Sequence, residues 1–468
     1  MKVRLTIATV ASIVILGVSA LLSAGGPTLP KSVQLYASPS NELLGTLQAR
    51  IGARNVQLHH LRGKDLHGKD PSNGSGDKEG NLTPALSGNP TTPAANVQPI
   101  QLITGIKGLA WPASGEAAIG AEGLDFIDSN QPANHPVPIA SLTKIMTAYV
   151  ILKDHPLAPG GNGPAVRIDG ADVETTYNDE LNDETIVPIV HGEVLTERQT
   201  LEGLMVHSAC NLAYVLARWD SGSVSAFVAK MNRTAQVLGL DYTRYVGPAG
   251  FSPGSVSTAT DLTKLAMDAM SIPAFARIVD HPSINLPDAG ILYNYVSAIG
   301  QAGVIGVKSG FTYQSDGCVV LAAIRSVEGA AVTLVAAVTG QGGMDPLGSA
   351  QNAALALIDS MTSQLHIDNA DLTGDVVGSI RPLWLAAHAS RTQPHASRTR
   401  YSIVVSGDID LLEWPGAEPK AAIQFDRQSY TCNALRPGIQ VGTMTVSLGA
   451  LTSVVPLVIP HVPLCKSA

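Results

Sequence analysis

Basic residues are in short supply: 30 Lys and Arg stand against 38 Asp and Glu, a formal net charge of −8. A chain with that balance lacks the positive surplus of a general phosphate-backbone binder, which excludes nucleic acid as a partner. Beyond residue 24 no run is long and apolar enough to be a membrane span, and the C-terminus has no amphipathic membrane helix. Any attachment to a bilayer therefore rests on the N-terminus. Aromatic residues are scarce at 4%, while Gly (45) and Pro (30) are plentiful, so many turns and much loop are expected. Hydrophobic residues at 45% are enough for sizeable cores, and 468 residues suggest two folded domains plus connecting sequence.

Lys2 and Arg4 precede an apolar run from Leu5 to about Ala24, closed by Gly25-Gly26-Pro27. Residues 1–27 are a secretory signal or a membrane anchor, at a length where the two classes overlap. Either one exports everything downstream, because the positive end stays cytoplasmic. The expectation is an extracytoplasmic chain held to the membrane by this segment, with secretion as the alternative. Residues 28–99 are expected to be a spacer: Thr28 to Arg62 has no clear period, and from Gly63 to about Pro99 the chain turns into Gly, Asn, Ser, Asp, Lys and Pro, as in Lys69-Asp70-Pro71-Ser72-Asn73-Gly74, the composition of a flexible tract. His59, His60 and His67 border that tract without the fixed geometry a metal site needs, and no metal or other cofactor is expected. Of the four cysteines, Cys432 could pair with Cys465 and Cys210 with Cys318, with buried free thiols as the alternative.

The chain is organised around Pro138-Ile139-Ala140-Ser141-Leu142-Thr143-Lys144-Ile145-Met146-Thr147-Ala148-Tyr149. A Ser three residues ahead of a Lys, where an apolar helical period begins, puts hydroxyl and amine on one face of a helix's first turn. Burial and a second nearby cation disfavour the protonated amine, which lets it take the serine proton. The spacing alone is weak. Ser75-Gly76-Asp77-Lys78 repeats it in a tract that cannot hold a helix, so partners elsewhere must raise Ser141 above that level.

Folded structure is expected from about Ile100, with short strands at Ala117–Ala121 and Leu124–Ile127. Thr196 and Gln199 form a capping-box pattern for a helix ending near His207. A helix follows from about Ser223 to Leu238 with Gly239 as its C′ residue. Strands at Val304–Thr312, Cys318–Ser326 and Ala331–Thr339 are joined by short turns, hence antiparallel, and a helix runs from Pro346 to about Gln364. The acidic residues Asp172, Glu174, Asp179, Glu180, Asp183 and Glu184 read as a solvated loop. The expected fold class is α/β, an antiparallel sheet flanked by helices over 100–365, then a polar linker over 366–400 and a small all-β domain over 401–468. An exposed loop is expected where His388-Ala389-Ser390-Arg391-Thr392 is repeated as His395-Ala396-Ser397-Arg398-Thr399.

Two further motifs stand downstream of Ser141: His207-Ser208-Ala209-Cys210-Asn211 after a helix, and Val307-Lys308-Ser309-Gly310-Phe311-Thr312 on a strand. Ser208 can relay a proton, Lys308 can attract a carboxylate, Ser309 can hydrogen-bond it, and Gly310 lets a peptide backbone lie along the strand edge. This order resembles the penicillin-interacting serine enzymes, with their SxxK, SxN and K[ST]G motifs. With the flanking segments Phe227-Val228-Ala229-Lys230-Met231-Asn232 and Gly250-Phe251-Ser252-Pro253-Gly254, it is similar to the low-molecular-mass, serine-type D-alanyl-D-alanine carboxypeptidases of actinobacteria. The resemblance covers roughly residues 100–364, and the β-rich C-terminal piece is similar to that family's accessory domain. It implies the penicillin-binding, β-lactamase-like fold and a serine peptidase that trims peptidoglycan stem peptides through an acyl-serine. Ser141 would be nucleophile, Lys144 its base and Ser208 the proton relay. Lys308 and Ser309 would hold the terminal carboxylate, and the N–H groups of Ser141 and Phe311 would hold the oxyanion. β-Lactam antibiotics would acylate Ser141.

One position departs from the family pattern: where SxN has Asn, this chain has Cys210, and Asn211 follows it. The next residue on a helix points about 100° away, so Asn211 does not simply replace it. A thiol is a weak hydrogen-bond partner, so slower carboxypeptidase turnover with acylation largely kept is expected. A β-lactamase, or a peptidoglycan-binding homologue with impaired catalysis, are the rival readings.

Overall fold

The structure is a computed structural model and describes residues 105–380 and 401–461, short of 125, 371, 415–416, 418, 427–429, 432–435 and 449–450, with two further strands, Ser32–Val33 and Gln101–Leu102. The rest of residues 1–99, the His388–Thr399 duplication and the Cys432 and Cys465 positions lie outside the described residues. Among the described residues no helix is long and apolar enough to cross a membrane.

The larger sheet is built from β1 (Ala117–Ala121), β2 (Phe126–Ser129), β3 (Val304–Thr312), β4 (Asp316–Val327) and β5 (Ala330–Gln341) in spatial order β3-β4-β5-β1-β2, all antiparallel, with Gln101–Leu102 parallel to β2 at the far edge. The sequence Val319-Val320-Leu321-Ala322-Ala323 is apolar without a break because both faces of β4 are covered. Val319, Leu321 and Ala323 point into one core with Ala350, Ala354 and Leu357 of the helix at Pro346–Thr362, whereas Val320 and Ala322 point into the other.

That second core surrounds helix α1 (Thr143–Asp154). It is wrapped by α3 (Glu197–Met205), α4 (Cys210–Ser221), α5 (Val224–Val237), α6 (Ala259–Met270) and α7 (Pro273–Val279), while α2 (Gly170–Leu181) packs outside them against α4. A helix enclosed all round is apolar all round, as Ile145, Met146, Val150, Ile151 and Leu152 are. Truncating Ile145 to Ala there costs about 2–5 kcal/mol. The N-termini follow capping chemistry: Thr196 and Gln199 form a reciprocal capping box on α3, Ser223 caps α5, and Thr258 caps α6. Closing the domain is α8 (Pro346–Thr362).

The C-terminal part is a β-module. β6 (His366–Ala370) pairs with β9 (Ile409–Glu413), and β7 (Val376–Ile380), β8 (Tyr401–Val405), β12 (Leu451–Ile459), β11 (Ile439–Leu448) and β10 (Lys420–Phe425) form a five-stranded antiparallel sheet in that order. Its core holds Ile403, Val405, Val441, Met444 and Leu457, while Trp414 and Leu448 pack into the core under α8.

Three points of the sequence reading are decided by the structure. The polar linker expected over 366–400 is strand in its described part, β6 and β7, because both strands pair into the C-terminal sheets. The acidic stretch is not a loop over most of its length: Asp172, Glu174, Asp179 and Glu180 lie on α2, where Asp169 and Asp172 make a capping box, Asp172 pairs with Arg218 and Asp179 is buried, while Glu174 and Glu180 stay exposed and Asp183 and Glu184 follow the helix. The third concerns the cysteines, where two alternatives were open: Cys210 and Cys318 are buried free thiols, the second of them.

Candidate active site

The pairing of Val137–Pro138 with Val256–Ser257 brings the chain to a single 3-10 turn, Ala140–Leu142, which runs straight into α1. Ala140 has φ of +45°, a left-handed conformation that a residue with a Cβ adopts at a cost of about 1–2 kcal/mol. The turn is gripped from two sides by glycines. A Cβ on Gly250 (φ +83°) would run into the Ala140 carbonyl, and one on Gly310 would lie 2.7 Å from the Ser141 nitrogen. Gly310 therefore sets edge strand β3 directly against the Ser141 turn.

Lys144 is fully buried, at 0% exposure, and its Nζ has three partners: Ser141 Oγ at 2.9 Å, the Ala249 carbonyl at 2.7 Å and Cys210 Sγ at 3.3 Å. The loop supplying Ala249 is stitched to α1 a second time, by Thr147 Oγ1 donating to the Pro248 carbonyl at 2.7 Å. Three separate segments, the 140–142 turn, the start of α4 and the 248–250 loop, thus converge on the amine that the first turn of α1 presents.

Ser208 lies in the link between α3 and α4, buried, with φ of +63°. It is two residues ahead of the Cys210 that touches Lys144. Asn211 does not join the site. Its side chain donates to the Val187 carbonyl at 2.7 Å and to Thr176 Oγ1 at 3.0 Å and accepts from the Val187 N–H at 3.1 Å, bracing the 185–187 segment instead.

From β3, Lys308 is buried at 1% exposure, with its Nζ donating to the Ser309 carbonyl at 2.8 Å. Burial, and then the positive charge of Lys144, push the Lys308 ammonium down to about 7, with Cys210 opposing the shift. Ser309 is buried and its Oγ has no hydrogen-bond partner. A buried hydroxyl without a partner is an open position for a polar ligand. Phe311 forms part of the rim, 40% exposed, edge-on to Tyr313 with ring centroids 5.7 Å apart. His207 stands beside Ser208, its ring 5.7 Å from that of Tyr295, and burial pushes its imidazole down.

The structure joins Ser141, Lys144 and Cys210 through hydrogen bonds, with Gly310 in van der Waals range, and buries Lys308 and Ser309 on the strand alongside. Sequence reasoning missed Ala249, whose contribution is a main-chain carbonyl that no residue type announces, and gave no role to Gly250. It also set aside Glu184 as part of an acidic loop, although the next residue, Thr185, holds the Cys210 N–H through its carbonyl at 2.7 Å. Among the described residues no cluster of His, Cys, Asp or Glu could hold a metal ion.

Residues 127–340 match the model of the family described as D-alanyl-D-alanine carboxypeptidase. The chain is 33% identical over 210 residues to the D-alanyl-D-alanine carboxypeptidase of Streptomyces sp. strain K15, covering 40% of this chain and 67% of that protein. It is 32% identical over 213 residues to the D-alanyl-D-alanine carboxypeptidase DacB2 of Mycobacterium tuberculosis, covering 44% of this chain and 69% of that one. In fold it is similar to penicillin binding protein 5 from Haemophilus influenzae, with a TM-score of 0.51 at 19% identity, over 75% of this chain and 98% of that structure. The chain belongs to the D-alanyl-D-alanine carboxypeptidase family.

Proposed function

We propose that this protein is a serine D-alanyl-D-alanine carboxypeptidase that trims peptidoglycan stem peptides and is acylated by β-lactam antibiotics. The observation that carries the reading is the 2.9 Å contact between Ser141 Oγ and the fully buried amine of Lys144. As base, Lys144 takes the Ser141 proton while Ser141 Oγ attacks the carbonyl carbon of the penultimate D-Ala. The tetrahedral oxyanion is held by the backbone N–H groups of Ser141 and Phe311. Collapse breaks the C–N bond, and Ser208 passes the proton from Lys144 to the departing D-Ala amine. Water then cleaves the Ser141 ester and returns the hydroxyl.

Lys308 and Ser309 hold the terminal carboxylate. The buried, unpartnered Ser309 hydroxyl and the nearby buried ammonium suit an anion that arrives with its own acceptors. Lys2, Arg4 and the apolar run behind them support export of the chain, with that segment as a membrane anchor or signal. A location outside the cytoplasm suits an enzyme whose substrate is the cell wall.

Incubating the protein with a synthetic stem pentapeptide and following its mass tests the reading. Loss of a single D-Ala, abolished in Ser141→Ala, is the expected result. An intact pentapeptide with wild-type protein contradicts it.

A further inference from the structure

Aromatic residues are scarce in this chain, yet two of them stand in solvent at the outer end of β3. Beside the rim residue Phe311, Tyr313 opens the turn that follows the strand and is 92% exposed. That turn is stiff: the Thr312 N–H donates to Ser315 Oγ at 3.0 Å, and the Ser315 N–H donates back to Thr312 Oγ1 and to the Thr312 carbonyl, both at 3.2 Å. Asp316 begins β4 directly across from Thr312 and is exposed as well. A ring held in water on a fixed turn contributes little to the fold. With a carboxylate at the same hairpin end, the pair of rings makes a surface suited to a cation, because ring faces attract an ammonium and the carboxylate attracts its charge.

The register of the site decides which part of a substrate reaches this surface. β3 is the edge strand of its sheet, so its outer side is open to a peptide laid along it as a further strand. With the terminal carboxylate at Ser309 and the scissile carbonyl at the Phe311 N–H, the N-terminal side of the substrate runs toward Tyr313. A strand advances about 3.3 Å per residue, so Phe311 lies about 7 Å beyond Ser309 and draws level with the third residue from the substrate's C-terminus. The side chain just ahead of the two D-Ala residues is therefore the one that meets the aromatic pair and Asp316.

We propose that Tyr313 and Asp316 are specificity-determining residues, which select a stem peptide whose third residue from the C-terminus has an alkyl arm ending in an ammonium group. This selection rests on the functional reading above, because the carboxylate end held at Ser309 sets the register. The alkyl arm lies along the Phe311 and Tyr313 rings, and the ammonium sits over the Tyr313 face within reach of Asp316. A neutral arm of the same length keeps the apolar contact and loses only the charge. An arm ending in a carboxylate meets the negative ring faces and Asp316 and is disfavoured.

The test is D-Ala release, at neutral pH, from synthetic Nα-acetyl-X-D-Ala-D-Ala peptides in which X is lysine, Nε-acetyl-lysine or glutamate. Wild-type protein is expected to favour the lysine arm over the acetylated one roughly fivefold in kcat/KM, mostly through KM, with glutamate the poorest. Tyr313→Ala should bring the two lysine peptides within about twofold of each other, whereas Tyr313→Phe, which keeps the ring, should hold most of the preference. Asp316→Asn should weaken it; Asp316 has φ of +53°, which asparagine also adopts readily, and thermal melting checks that the variant folds. Equal kcat/KM for the two lysine peptides with wild-type protein, or a preference that Tyr313→Ala leaves intact, overturns the proposal. Wild-type protein that releases D-Ala from none of the peptides overturns the functional reading instead.

Discussion

Lys144 has no exposed surface, yet it serves Ser141 only through a free lone pair. Its Nζ donates to Ser141 Oγ, the Ala249 carbonyl and Cys210 Sγ, so three fixed acceptors aim the amine at the hydroxyl. Lys144→Ala is expected to slow acylation by about 10²–10⁴-fold, measured by stopped flow with a fluorescent penicillin; a loss below about tenfold points to another base. Lys308 makes a second prediction. Its ammonium titrates at about 7 in the free enzyme because burial and the Lys144 charge disfavour the proton. Below that pH it is a cation that attracts the substrate carboxylate, and above it the attraction fades. The KM for a stem pentapeptide should therefore rise between about pH 6 and pH 8.5 while kcat changes little, and a flat KM contradicts the assignment. At this scale the Ser141–Lys144 spacing was legible, because a three-residue separation at a helix start has one geometry. Ala249 was not, since its carbonyl is common to all residues. Thr185 was not either, because only the fold brings its carbonyl to the Cys210 N–H.

The Ser141 turn depends on two glycines from distant elements. Gly310→Ala places a methyl 2.7 Å from the Ser141 nitrogen, and since that atom is backbone the strand or the turn must shift. Acylation should be lost with a modest fall in melting temperature, on the order of 1–3 kcal/mol of stability. Full labelling of this variant would mean that β3 does not set the turn. The hairpins of β3, β4 and β5 and helix α8 could be read from sequence because apolar runs of that length, bounded by Gly and Asp turns, have few other solutions. The α3 capping box was equally plain. The residues of α2 were misread because each acid looks solvated in isolation, whereas Arg218 on α4 neutralises Asp172. Helices α6 and α7 were left unassigned, and only their packing around α1 shows what their apolar residues cover.

Across the whole molecule, buried charge sets how stability responds to pH. Glu197, at the first position of α3, has both carboxyl oxygens buried without hydrogen-bond partners, and burial pushes it up to about 7. Its folded value lies above the ordinary carboxylate range, so its stabilising contribution is complete at low pH and is lost as pH rises through 7. Glu197→Gln should therefore raise the melting temperature at about pH 8 and have little effect at about pH 4. Equal shifts at both would show that the carboxyl stays ionised throughout. The two-part organisation was visible in the sequence as a change from mixed elements to short strands, but not where the second part begins. β6 and β7 are polar enough to pass for linker until they pair with β9 and β8. The most direct measurement of the central claim is peptide mapping by mass spectrometry after exposure to a penicillin. The account predicts one added penicilloyl group, on the Ser141 hydroxyl. An adduct elsewhere in the chain, or none, contradicts it.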